Sequence, residues 1–85
     1  MHVVSKIYVD GRTQPVNQQW TLKQMQAFVG GSIERVQSVV AHRALLCDEA
    51  GLLKEKPVNV EATKLVSPGT VMDQGLRGDC LLVKA

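Results

Sequence analysis

Cys47, Asp48 and Glu49 stand in a row with His42 shortly upstream, and this is where the chain comes nearest to a catalytic constellation. A cysteine beside a histidine can become a thiolate nucleophile, and two carboxylates can share general acid and base roles. Both arrangements require the side chains to meet. Successive residues of a strand point to opposite faces, so Asp48 and Glu49 cannot act on one substrate while the strand continues, and the odd spacing of His42 and Cys47 separates them in the same way. Asp48 and Glu49 are therefore expected to finish a strand and solvate the loop after it. His2 and His42 lie far apart with no third ligand at helical or turn spacing, so no metal site is expected. Cys47 and Cys80 each sit among apolar residues and form no C-x-x-C pair, which predicts buried thiols acting as small hydrophobes. A disulfide between them stays open if their strands are neighbours, although an intracellular setting argues against it.

Glycines come next. Phosphate-binding loops run strand, glycines, helix, so that backbone N–H groups face the anion. Gly30-Gly31 follows a helix instead of preceding one, which makes it a helix stop. Gly75-Leu76-Arg77-Gly78 resembles the G-x-x-G clamp of KH domains, but that clamp joins two helices and this segment feeds a terminal strand, so a turn is expected. Three arginines, Arg35, Arg43 and Arg77, could supply charge-assisted contacts to a phosphate. Asn59 is expected to cap a helix before serving as a ligand, and Trp20 to pack ahead of a helix cap.

These residues must be positioned by short elements. Residues 3–16 read as a hairpin turning at Asp10-Gly11 in a type I′ turn with both central residues at positive φ, and Pro15 makes the returning strand an edge or ends it early. Thr21 with Gln24 forms a capping box, so a helix is expected from Leu22 to Val29 with Leu22, Met25, Phe28 and Val29 inward. Residues 32–40 and 43–49 read as a second hairpin. Ile33 and Val36 fall on opposite faces of a regular strand there, which predicts a bulge or a shifted register. Asn59 caps a short helix over residues 60–66, with Ala62, Leu65 and Val66 inward. Residues 70–78 carry no periodicity and are expected to be irregular. Residues 79–84, apolar on both faces, read as a central strand.

The expected architecture is α+β: one domain over residues 1–85, a mostly antiparallel sheet of four or five strands, and both helices on one face. With 85 residues, 45% of them hydrophobic, the chain can bury one modest core. A net charge of +2 with dispersed basic residues makes nucleic-acid binding unlikely on charge grounds. No secretory signal or stretch of about 20 apolar residues stands out, so a soluble cytoplasmic protein is expected, without membrane association.

The ordered set Thr21-Leu22-Lys23-Gln24-Met25-Gln26, Val29-Gly30-Gly31-Ser32-Ile33-Glu34, Cys47-Asp48-Glu49-Ala50-Gly51-Leu52-Leu53, Pro57-Val58-Asn59-Val60-Glu61-Ala62-Thr63 and Gly78-Asp79-Cys80-Leu81-Leu82 resembles the DUF3846 family. That resemblance implies a bacteriophage or mobile-element origin and carries no catalytic residues. No enzymatic activity and no cofactor are expected. The leading expectation is a non-enzymatic accessory protein that binds a host macromolecule, with a host protein as the favoured partner, for instance as an anti-defence factor. A second is a module that sequesters a small nucleotide-like ligand, and a third is a minor virion component. Candidate binding residues are Arg35, Arg43, Asp48, Glu49, Asn59 and Arg77. A homodimer is expected, with the 32–49 hairpin and the 80–83 strand in contact.

Overall fold

The chain forms β1 (His2–Ile7), β2 (Thr13–Gln19), α1 (Leu22–Val29), β3 (Ile33–Gln37), β4 (Arg43–Asp48), α2 (Val60–Thr63) and β5 (Cys80–Lys84) in the computed structural model, which describes residues 1–68 and 75–85. The expectation of irregular chain over residues 70–78 falls in part on residues 69–74, which lie outside the described residues. All strand pairs are antiparallel, in one five-stranded sheet of order β2-β1-β5-β4-β3. The α+β class follows, and β5 is central as its two-sided apolar pattern predicts. Hydrogen-bonded to β1 and β4 and buried at Cys80, Leu81 and Val83, β5 has no open edge to pair with a second copy. The outer strands are β2 and β3.

The helices do not share a face. Leu81, Val83, Ala44 and Leu46 pack with Met25 and Val29 of α1, whereas Cys80, Leu45 and Cys47 pack with Ala62 of α2. Strands β4 and β5 are apolar on consecutive residues, so each side of the sheet needs its own cover. The same fact explains β3, which runs in unbroken register from Ile33 opposite Asp48 to Gln37 opposite Ala44. Ile33 joins the α1 side and Val36 the α2 side, so no bulge is required there.

The irregularity lies in β1. Val3 pairs with Val83 but Ser5 pairs with Leu82, so β1 carries one extra residue against β5. That insertion switches faces, placing Val3 on the α1 side and Ile7 on the α2 side. Against β2 the register also slips, between Val3 opposite Gln18 and Ser5 opposite Pro15, and Asn17 takes a φ of +49°. Pro15 and this bulge blunt β2, which is the outer strand.

The first hairpin turns one residue earlier than a type I′ turn would. Gly11 N–H donates to the Tyr8 carbonyl at 3.1 Å, and Gly11 alone adopts positive φ, at +93°. Val9 and Asp10 are thus the central pair of a four-residue turn closed by a left-handed glycine. The Asp10 carboxylate accepts from the Arg12 N–H at 2.9 Å and from Arg12 Nε at 2.7 Å, which supplies the local bond that favours Asp there.

Helix α1 has the predicted capping box, with Gln24 N–H donating to Thr21 Oγ1 and Thr21 N–H to Gln24 Oε1, and it stops at Gly30, where φ is +92°. Met25 and Val29 are buried, but Leu22 is 59% exposed and does not belong to the inward stripe. As the first residue after the cap, it projects beyond the sheet that the next turns cover. Helix α2 is shorter than expected: it ends at Thr63, and Leu65 and Val66 reach the core from the turn that follows. That turn is held by the edge of β3, since Leu65 O accepts from Val39 N–H at 2.8 Å and Gln37 O from Ser67 N–H at 2.9 Å. Backbone pairing replaces a further helical turn.

Candidate functional site: a carboxylate clasped by two lysines

Asp48 is the last residue of β4 and shares the side of Ala44 and Leu46, so its carboxylate comes up beside the C-terminal end of α1. Its side chain is fully buried. Lys56 Nζ lies 2.7 Å and Lys54 Nζ 2.8 Å from Oδ2, while Oδ1 accepts from the Ala50 N–H at 2.9 Å. The lysines also reach the helix, Lys56 donating to Val29 O at 2.8 Å and Lys54 to Gly30 O at 2.9 Å. Two ammonium groups thus neutralise one carboxylate and the negative end of a helix dipole together. Burial pushes the Asp48 carboxyl up, but the bonds from Lys54, Lys56 and the Ala50 N–H outweigh it and hold the group well below the ordinary carboxylate range. Glu49, by contrast, is exposed, and its N–H donates to Ser32 O at 2.8 Å. The expected separation of the two carboxylates holds; the expectation that Asp48 solvates a loop does not, because a charge with three donors is more favourably placed inside.

The loop beyond Asp48 is fastened at both ends. Gly51 N–H donates to Asp48 O, Lys54 N–H to Ala50 O, and Lys56 N–H to Gly51 O, all within 3.0 Å. A Cβ at Gly51 would stand 2.8 Å from Arg77 Cβ and 3.2 Å from the Asp48 carbonyl, so the close approach of two backbones selects glycine. Leu52 and Leu53 occupy the crest, 51% and 88% exposed.

Asn59 closes the same end of the sheet. It is completely buried; its Oδ1 accepts from Ala62 N–H at 3.0 Å, and its Nδ2 donates to Ile7 O and Gly78 O at 2.9 Å each. Its backbone is also engaged, through Leu76 O at 2.7 Å and the Thr63 hydroxyl at 2.7 Å. The cap expected from sequence is present, but it is also a clasp between β1, α2 and the approach to β5. Arg77 joins the cluster by donating Nη1 to Lys56 O at 3.1 Å.

Of the six candidate residues, Asp48, Asn59 and Arg77 gather around this loop. Glu49 adjoins it facing water. Arg43 begins β4 at the opposite end from Asp48, opposite Lys84, and donates to His42 O; Arg35 lies exposed on the edge strand β3 opposite Leu46. Within one chain the three arginines do not form a phosphate site. Lys54 and Lys56, the residues that complete the cluster, were not singled out by sequence. Their only signal there is a pair of lysines spaced two apart across a glycine-bearing loop from an acidic strand end.

Cys47 and Cys80 are free and buried on the α2 side. Burial pushes the Cys47 thiol up to about 11, with Glu34 and Asp48 adding to it, and the Cys80 thiol up to about 12, with Cys47 and Asp79 adding. Neither is poised as a nucleophile. A cavity of about 210 Å³ opens between the end of α1 and the loop, lined by Phe28, Gly30, Lys56, Pro57 and Asp79 among others. Among the described residues no three His, Cys, Asp or Glu side chains stand together as metal ligands, and no helix is long and apolar enough to cross a membrane.

A five-stranded α+β domain whose glycines, asparagine and buried aspartate converge at one end of the sheet is what the sequence motifs build. Residues 4–85 match the family model of DUF3846, a domain of unknown function, and the chain belongs to that family. No curated protein and no solved structure matches it.

Proposed function

We propose that this protein is a small non-enzymatic accessory protein of a phage or mobile element, and that it binds a host cytoplasmic protein through the Leu52-Leu53 loop. The observation that carries the reading is Leu53, an 88% exposed leucine on a loop whose Lys54 and Lys56 are bonded to buried Asp48. Large apolar side chains held out on an ordered backbone are suited to an interface anchor, because little conformational entropy remains to be lost on docking. The signature residues Asp48 and Asn59 are saturated by protein partners, which supports a role in shaping that surface instead of reacting with a substrate.

Affinity capture from a bacterial host lysate tests this with the wild-type protein and Leu53→Asp in parallel. A single host protein retained in stoichiometric amount by the wild type and lost from Leu53→Asp is expected. Equal retention by both proteins, or no retained protein with either, would contradict it.

A further inference from the structure

Among the described residues Lys6 has no counterion. Its Nζ lies 5.5 Å from the ring centroids of both Trp20 and Phe28, and among the described residues no carboxylate or carbonyl oxygen is bonded to it. The aromatic corner is built as a unit: Trp20 and Phe28 meet edge to face at 6.2 Å, and Tyr8 meets Phe28 at 5.7 Å. Ring faces attract an ammonium group while excluding water from it, and they leave its formal charge unneutralised. Beside it lies a cavity of about 170 Å³ lined by Lys6, Gln14, Pro15, Val16, Gln18 and Trp20, with no acidic residue among them.

The strand registers explain the grouping. Lys6 pairs with Gln14 and with Leu81, a residue of the α1-side core, and Val3 of the same core pairs with Gln18. Both glutamines thus share the α1 side with Lys6. The Tyr8 hydroxyl donates to Gln14 Oε1 at 3.3 Å, an arrangement that leaves the Gln14 NH₂ as a donor. One cation, neutral amide donors, and Pro15, Val16 and Trp20 as apolar walls describe a receptor for a single negative charge on an apolar body. A phosphate draws on several cations or a row of backbone N–H groups, and neither is present among these six residues. The space also falls below the roughly 300–1,000 Å³ of pockets that take drug-sized molecules, nucleotides included.

We propose that this cavity binds a small hydrophobic monocarboxylate, with Lys6 as its charge partner, the Gln14 NH₂ as a donor, and Trp20 against its apolar portion. The site uses none of the residues of the Leu52-Leu53 loop, so it stands or falls independently of the host-protein reading.

Trp20 is the single tryptophan of the chain and reports directly on occupancy. Its fluorescence is followed while phenylacetate, phenylacetamide or phenyl phosphate is added to the wild-type protein, and while phenylacetate is added to Lys6→Met. A saturable change with phenylacetate is expected, weakened about tenfold both for phenylacetamide and in Lys6→Met, the scale of one lost charge-assisted contact. Equal affinity for phenylacetamide, tighter binding of phenyl phosphate, or no saturable response to phenylacetate would overturn the proposal. The comparison of acid with amide is made on the unaltered protein, so it holds even where Lys6→Met fails to fold.

Discussion

The side-chain amide of Asn59 donates to the carbonyl oxygen of Ile7, 2.9 Å away and 52 residues earlier in the chain. The same nitrogen donates to Gly78 O while the amide oxygen caps α2, so three backbone groups from three segments depend on one side chain. Asn59→Ala removes all three bonds, leaving Gly78 O only the weak Cys80 Sγ donor at 3.4 Å, and should cost about 3 kcal/mol, well above the ~1 kcal/mol of a helix cap alone. Asn59→Asp should be at least as damaging at neutral pH, because a carboxylate would face two carbonyl oxygens. That new carboxyl titrates above its unfolded value, so the Asn59→Asp variant should be least destabilised in acid and lose stability as pH rises through the folded pKa. Urea melts of both variants at pH 5 and pH 8 check the pattern. An Asn59→Asp variant as stable as the parent at pH 8 would contradict the clasp.

Asp48→Asn keeps an acceptor for the Ala50 N–H but strips two lysines of their counterion. A loss of about 3 kcal/mol is expected, the scale of breaking a buried pair. The folded carboxyl titrates below its unfolded value near 3.8, so its contribution is complete above that pH and is lost as pH falls toward the folded pKa. Stability of the parent should therefore decline below about pH 4, and Asp48→Asn should flatten that decline. Thermal melts across pH 2–7 provide the comparison; parallel curves would exclude Asp48 as the acid-sensitive group.

The thiols of Cys47 and Cys80 should resist labelling by an aromatic disulfide reagent at pH 8 until the protein unfolds. Their folded pKa values, about 11 and about 12, exceed the ordinary 9.0, so their contribution is intact below pH 9 and disappears as pH rises toward 11. Fast native-state labelling of either would show an opening that the packing does not provide.

Sequence made the strands, the capping box of α1 and the Asn59 cap legible because each rests on local chemistry: alternation, a side chain reaching its own helix end, a glycine at positive φ. What escaped it was global. Ile33 and Val36 look like a register fault until α1 and α2 are seen to cover opposite sides of the sheet, and the face switch between Val3 and Ile7 depends on a bulge that no residue type announces. Lys54 and Lys56 escaped for the same reason, since their partners are the end of β4 and the end of α1, brought together only by the fold. Leu53 carried no signal at all, because exposure is a property of the folded surface.

Leu53→Asp should change stability by no more than about 0.5 kcal/mol, as expected for an exposed crest, whereas Leu81→Ala in the central strand should cost about 3 kcal/mol. Urea denaturation of the two variants side by side decides it. A large loss in Leu53→Asp would place that leucine in the core and withdraw it as a docking residue.

Amide hydrogen exchange at Lys54 and Lys56 tests the central claim most directly, that buried Asp48 holds the Leu52-Leu53 loop as an ordered surface. Their N–H groups donate to Ala50 O and Gly51 O at 2.9 and 3.0 Å. Both should be protected in the parent and lose protection in Asp48→Asn, while the Leu81 and Val83 amides of the central strand stay slow. Exchange at unstructured-chain rates at Lys54 and Lys56 in the parent, or protection unchanged in Asp48→Asn, would contradict the account.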